Sequence, residues 1–256
     1  MSRARSWRRL FVYERPDAVA FWRARAGEPG LGSVMWRNSA YNHGAHADQW
    51  AAIVRHLPPR RDAVLDLGCG TGRLASALAS LFDRYVGTDL DTMVAEARRR
   101  NPGLRAEFVA TTVQDYAFPR EAFDLVLSMA CLASACDADE LPAVAQRIVE
   151  ATRPGGRILL IEPFHRLPAL TRTCRMSPAE VARLFTSHGT RLDEWTSLHF
   201  VPARLLLAGR LFAGWPRLSG VGYRAGEVLR RLRPRQFGDY SVLALTKTAG
   251  AGAGLR

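Results

Sequence analysis

Two carboxylates, Asp66 and Asp89, and the three glycines between them carry the chemical information in this sequence. Asp66 lies near the end of an apolar run, Ala63–Leu67, that fits a buried parallel strand. Gly68, Gly70 and Gly72 follow at alternate positions, and a helical stretch begins after them. Glycines let the backbone pass close to a ligand with no Cβ in the way. The Gly-x-Gly-x-Gly spacing is not the dinucleotide Gly-x-Gly-x-x-Gly. A carboxylate ahead of the first glycine would also repel a pyrophosphate seated on a helix N-terminus; a ligand carrying an ammonium group would be attracted to it. Asp89 comes 23 positions after Asp66, at the end of the next strand, where an acid can accept hydrogen bonds from both hydroxyls of a ribose.

Such residues need an open sheet edge to hold them, and the chain supplies the pattern for one. Strand Ala63–Leu67 is followed by an expected helix over Arg73–Leu81, a strand over Tyr85–Thr88 and a helix over Thr92–Arg100 that Asn101-Pro102-Gly103 stops. Further strands are expected at Ala106–Ala110, Leu125–Ser128, Arg157–Ile161, Arg191–His199 and Ser241–Thr246. Helices are expected at Asp139–Thr152 and from Ser177 to Ser187, the latter opened by a capping box with Glu180. Strands alternating with helices predict an α/β fold, a Rossmann-like, mostly parallel sheet with helices on both faces. We expect residues 1–60 to form an N-terminal helical cap, rich in aromatics from Trp7, Phe11 and Tyr13 to Trp50. Residues 61–248 should form the main domain with a helical insert at about 200–237, and 249–256 a disordered Gly/Ala tail.

The string Val64-Leu65-Asp66-Leu67-Gly68-Cys69-Gly70-Thr71-Gly72 resembles motif I of the class I S-adenosylmethionine-dependent methyltransferases, small-molecule type. The resemblance covers about residues 60 to 200 and the final strand. It implies seven strands with the last antiparallel, S-adenosylmethionine as cofactor and S-adenosylhomocysteine as product. It places Asp66, Gly68, Cys69, Gly70 and Gly72 around the methionine moiety, Asp89 on the ribose and Leu90 beside the adenine. Where many relatives carry an acid after the third strand, this chain has none: Thr112 and the Val113 backbone take the adenine edge, and Asp115 faces solvent. Ser128 and Met129 fall beneath the methionine portion.

The acceptor side is less constrained. A sulfonium already activates its methyl group, so alignment and exclusion of water do most of the catalytic work. A base is needed only if the nucleophile holds its proton. The candidates are Tyr41, His43 and His165; each has an alternative reading as a core or surface side chain. Trp36, Phe164, Trp195 and Phe200 are the candidate acceptor contacts. No Asn-Pro-Pro-Tyr or Asp-Pro-Pro-Tyr follows the fourth strand, no Pro-Cys nucleophile is present, and Lys247 is the only lysine. These absences argue against exocyclic-amine, pyrimidine-carbon and RNA ribose chemistry. No metal-ligand pattern links Cys69, Cys131, Cys136 and Cys174, which read as free thiols of a cytoplasmic protein.

The formal net charge of +12 is concentrated at two places. Residues 1–25 hold seven arginines against Glu14 and Asp17, and residues 200–236 hold eight against Glu227. A solvated face explains such segments as well as a ligand does. The reading that follows is methyl transfer to a small-molecule acceptor, a natural-product intermediate of aromatic or apolar character. The alternatives are a lipid-linked substrate reached by peripheral membrane contact through 200–236, and a non-catalytic or nucleic-acid-binding use of the fold. Few Phe or Tyr residues lie in the basic segments to stack on bases, so nucleic acid has little support.

Overall fold

The computed structural model describes residues 15–165, 170 and 173–249. The arginines and aromatics expected to matter within residues 1–14, and the tail at 250–256, lie outside the described residues.

Two helices, α1 (Arg15–Arg25) and α2 (Ser39–Arg55), come first, with a short 3-10 turn, Gly30–Ser33, between them. Asn38 caps α2: its side-chain oxygen accepts from the Ala40 and Tyr41 backbone N–H groups. The alternation then runs β1 (Ala63–Leu67), α3 (Ala75–Ala79), β2 (Arg84–Asp89), α4 (Asp91–Arg100), β3 (Glu107–Ala110) and β4 (Phe123–Met129). It continues with α5 (Leu132–Ala135), α6 (Leu141–Ala151), β5 (Thr152–Glu162), α7 (Pro178–Ser187) and β6 (Thr190–Phe200). The insert holds α8 (Val201–Leu207), a 3-10 turn at Arg210–Phe212, α9 (Pro216–Leu232) and α10 (Pro234–Phe237), and β7 (Gly238–Lys247) closes the sheet.

The seven strands lie in the order β3-β2-β1-β4-β5-β7-β6. β1 to β5 are parallel, and β7 runs antiparallel to both β5 and β6. The α/β class, the seven strands and the antiparallel last strand are therefore as expected. Alternation along β1 divides the core: Leu65 and Leu67 face the layer holding α6 and α7, while Val64 faces the layer holding α2, α3 and α4. β4 is buried along its whole length. Burial of one such leucine contributes about 1.5–3 kcal/mol, so the sheet edge rests on a stiff scaffold.

Two boundaries differ from expectation for physical reasons. The helix after the glycines begins at Ala75, because Gly72 has φ +74° and three-residue turns close through Gly72 N–H to Cys69 and Ala75 N–H to Gly72. β5 begins at Thr152, because Thr152 pairs with Phe123 and the Pro154-Gly155-Gly156 turn is taken up by a register shift. The Ser177–Glu180 capping box forms as expected. No helix is long and apolar enough to cross a membrane among the described residues.

Candidate active site

The carboxyl ends of β1, β2, β3 and β4 open onto one cleft of about 220 Å³. Asp66, Gly68, Cys69 and Gly70 line it from β1, Asp89 and Leu90 from β2, Thr112 and Val113 from β3, and Met129 from β4. Two glycines make the close approach possible. Gly68 has φ +74°, and a Cβ there would strike the Cys131 side chain; Gly70 has φ +58°, and a Cβ there would come 2.5 Å from Val34 Cγ1. A side chain at either place would be strained and would fill the cradle.

Asp66 is buried and Asp89 half-buried, and their partners differ. Asp66 accepts from the Tyr85 hydroxyl at 2.9 Å. Burial pushes its carboxyl up to about 6, against the Tyr85 bond and the nearby Arg73 charge, which favour ionisation. Asp89 accepts from Gly70 N–H and Leu90 N–H, each at 2.7 Å, one on each oxygen. Burial likewise pushes it to about 6. Each carboxylate oxygen has a further lone pair, so Asp89 can still accept from two hydroxyls. Buried acids with so little compensation favour a ligand that brings donors and positive charge. The donor set fits a sulfonium nucleoside with an ammonium at Asp66 and a ribose at Asp89.

Two predicted residues of this group fall elsewhere. Gly72 packs behind the bend, against Ala97 of α4 and Asn101 just after it. Ser128 is fully buried one layer beneath, donating to Glu162 Oε1 at 2.7 Å. Glu162 was not anticipated. It ends β5 and also accepts from the N–H groups of Cys131, Leu132 and Ala133 at 3.0–3.1 Å. It thereby holds the post-β4 segment, whose Cys131, Ser134 and Ala135 line the cleft. Burial raises Glu162 to about 7 in spite of these donors.

None of the three base candidates lines the cleft, and each is corrected by its surroundings. Tyr41 is fully buried and packed edge-on between Trp36 and Tyr223, inside the cap core; burial raises its hydroxyl well above the ordinary value. His43 is exposed, two positions along α2 from Tyr41, and its Nδ1 contacts the Ser39 carbonyl at 2.7 Å. His165 follows β5 but turns into the protein, with Nε2 3.3 Å from Asp239 Oδ1. Arg204 donates to the same oxygen at 2.8 Å. Burial raises Asp239, but the His165 hydrogen bond and the Arg204 guanidinium outweigh it and hold its carboxyl below the usual range.

Among the acceptor candidates, Trp36 lines the cleft. Its backbone is clamped by Asn42, whose amide accepts from Trp36 N–H and donates to Trp36 C=O. Phe164 is buried in the core near Phe185. Trp195 carries the Arg235 guanidinium 4.6 Å above its ring, and Phe200 stacks edge-on with Phe237. These three make packing contacts and do not line the cleft. The aromatics that do reach it, besides Trp36, are Phe21 and Trp22 from α1 and Tyr240 from β7.

Arg73 and Gln49 complete the wall, and both were missed. Arg73 donates to Gln49 Oε1 at 2.7 Å and to His46 Nδ1 at 2.5 Å. Because a guanidinium only donates, the Gln49 oxygen must face it, and the Gln49 NH₂ then donates to His199 Nε2 at 2.9 Å. His199 is fully buried with φ +61°, and burial lowers it to about 3, so the ring is neutral. Its Nδ1–H meets the Tyr223 oxygen at 3.3 Å, and that hydroxyl donates to Asp48 at 2.5 Å. A buried hydrogen-bond chain thus runs from the cleft to α9. Its sequence signal was slight: Arg73 directly follows the glycine bend, but His199 and Tyr223 are brought to it only by β6 and the insert.

The fold and the glycine bend define an α/β protein with a cleft at the carboxyl edge of its sheet, the edge where open α/β sheets bind ligands. Residues 64–156 match the family model described as a methyltransferase domain. It is 41% identical over 112 residues to the ribosomal protein L11 methyltransferase of Thermus thermophilus, covering 43% of this chain and 41% of that protein. It is 27% identical over 174 residues to the demethylmenaquinone methyltransferase of Tropheryma whipplei, covering 62% and 70%. The crystal structure of the [4+2]-cyclase SpnF superposes with a TM-score of 0.62 at 19% identity, over 94% of this chain and 99% of that one, a likeness of fold.

Proposed function

We propose that this protein transfers a methyl group from S-adenosylmethionine to a small acceptor of aromatic or apolar character. The observation that carries the reading is the convergence of Asp66, Asp89 and the Gly68–Gly70 bend on one cleft that Phe21, Trp22, Trp36 and Tyr240 also line. Asp66 holds the ammonium, Arg73 the carboxylate of the same amino-acid end, and Asp89 the two ribose hydroxyls. Leu90, Thr112 and Val113 take the adenine. When bound, the cofactor supplies an already activated methyl group. The protein's part is to align an acceptor with it and to exclude water, for which Trp36, Phe21, Trp22 and Tyr240 are suited.

The relatives' names span a ribosomal protein and a demethylmenaquinone, so they do not choose the acceptor. The aromatic wall favours a ring system or an apolar chain. None of Tyr41, His43 and His165 lines the cleft, which favours an acceptor whose nucleophile carries no proton. Calorimetry with S-adenosylmethionine tests the first half: absence of binding at about 10⁻⁴ M by folded protein removes the proposal. Acceptor screening tests the second: Trp36→Ala should raise KM for the acceptor while cofactor affinity stays unchanged.

A further inference from the structure

The helix α9 is built inside out. Its buried face carries Ser219, Tyr223, Glu227 and Arg230. Each is satisfied by a hydrogen bond: Ser219 with Asn38, Tyr223 with Asp48, and Glu227 with both Arg230 and the Phe200 N–H. The outward face carries Leu218, Val221, Ala225, Val228 and Leu232, all exposed. They recur at alternating steps of three and four, which keeps them on one stripe of the helix. Val221 is 66% and Leu232 75% exposed. The stripe runs the length of a 17-residue helix, about 25 Å. Leu206, Leu211 and Trp215, 58%, 83% and 62% exposed, extend the apolar surface from the preceding segment. Most of the exposed large hydrophobic side chains of the described residues lie between 205 and 237, which marks this surface as one that meets something.

The flanking charge selects what it meets. Arg217, Arg224 and Arg231 recur every seven residues, so they form a row beside the apolar stripe, and all three are exposed. The only acid of α9 is Glu227, buried and paired with Arg230. A second copy laid against the stripe would therefore bring another arginine row and no acid on α9 to receive it. An anionic lipid surface supplies what both halves lack, phosphate groups for the arginines and acyl chains for the leucines, valines and Trp215.

We propose that the outer face of α9, with the segment from Leu206 to Trp215, docks this protein on anionic membrane surfaces, lying in the interface without crossing it. The face is tied to the cleft. Asn38 donates to the Leu207 carbonyl and to Ser219 Oγ, and it caps the helix that carries Gln49. Docking would thus hold the cap and its cleft close to a bilayer. The proposal is independent of the chemistry assigned to the cleft, because vesicle binding needs neither cofactor nor turnover.

The test is flotation of the full chain with vesicles of phosphatidylcholine alone and of phosphatidylcholine mixed with phosphatidylglycerol. Binding is expected to the anionic vesicles at low salt, and to fall at high salt and on neutral vesicles. The double variant V221E/L232E should weaken it by about tenfold or more, since each charge must be carried to the interface. R224E/R231E should weaken it on anionic vesicles only. Circular dichroism should be unchanged in both, since all four side chains are exposed. Absence of binding to anionic vesicles at low salt overturns the proposal, and so does binding that these variants leave intact. Sedimentation equilibrium supplies a further arm: a dimer that V221E/L232E dissociates would assign the face to a second copy and overturn the lipid.

Discussion

The floor of the cleft and the outer face of α9 depart from the ordinary partition of side chains in opposite directions. At the floor, Asp66 is a carboxylate taken out of water and Asp89 is half withdrawn from it, and desolvation raises both to about 6. On α9, leucine and valine are left in water while a tyrosine, a glutamate and an arginine turn inward. Stability alone would arrange both regions the other way. The difference lies in shape. The displaced charges converge on a concavity that fits one small molecule, whereas the displaced apolar groups lie along a convex helix that fits only an extended surface. A group kept where its solvation opposes it tells what chemistry its partner brings, and the curvature around it tells how large that partner is.

The sharpest way to break this comparison uses Glu162, a buried acid of the same neighbourhood with its donors already in place. Glu162→Ala leaves the N–H groups of Cys131, Leu132 and Ala133 without their acceptor. Each costs about 1–3 kcal/mol where water cannot replace the carboxylate, so the urea midpoint should fall by an amount equivalent to at least about 3 kcal/mol. Asp89→Ala should act on the ligand instead. It should weaken S-adenosylmethionine binding by about 1.5–3 kcal/mol in calorimetry, the range for hydrogen bonds to a charged group. Unchanged affinity in Asp89→Ala, with stability lost as in Glu162→Ala, would make Asp89 a structural acid and erase the distinction.

The pH dependence sharpens the same point. The folded Asp66 and Asp89 sit at about 6, above the unfolded value near 3.8. A raised acid makes its contribution to stability below the unfolded value and loses it as pH rises through the folded one. The ligand-free protein should therefore lose stability between about pH 4 and about pH 6 through these two groups. Binding of a cationic ligand needs the ionised forms, so affinity should rise over the same window by up to about tenfold per pH unit for each group, then level off. Calorimetry across that range measures it. In Asp66→Asn the rise should be shallower; an identical pH profile in the variant would remove Asp66 from the binding reaction.

How far the sequence could be read follows from the range of the interactions involved. Asp66, Gly68, Gly70, Asp89 and Leu90 were legible because they lie at two successive strand ends, and local pattern sets strand ends. The same logic reached Thr112 and Val113. It failed on the cap. His43 and Tyr41 looked alike as polar residues near the cofactor, yet helix periodicity separates them: Tyr41 and Ala45 are buried, and His43 faces outward. His165 stands after β5 at the right edge, but the direction its side chain takes is decided by Asp239 and Arg204, residues 74 and 39 positions away. The chain from Arg73 through Gln49 and His199 to Tyr223 joins four elements, and no local pattern announces it. The inverted α9 was half visible, as four arginines among leucines and valines, but the sequence could not say which face the fold would cover.

The smallest expected effect tests the other side of the comparison. Replacing Leu218, Val221 and Leu232 together by glutamine removes apolar surface that the fold does not cover. Leu218 is the least exposed of the three, at 47%, and it alone surrenders partial contacts. Exposed helix positions away from caps and ion pairs shift stability by about 0.5 kcal/mol or less each, and glutamine is as good a helix former as leucine. The thermal midpoint of the triple variant in detergent-free buffer should therefore stay close to that of the parent, and its solubility at high concentration should rise. A loss of several kcal/mol would mean that the stripe is internal packing after all, covered in solution by part of this chain or by a second copy. Retention of stability would leave the leucines and valines of α9 with no duty inside the monomer, the condition under which an external surface is required to explain them.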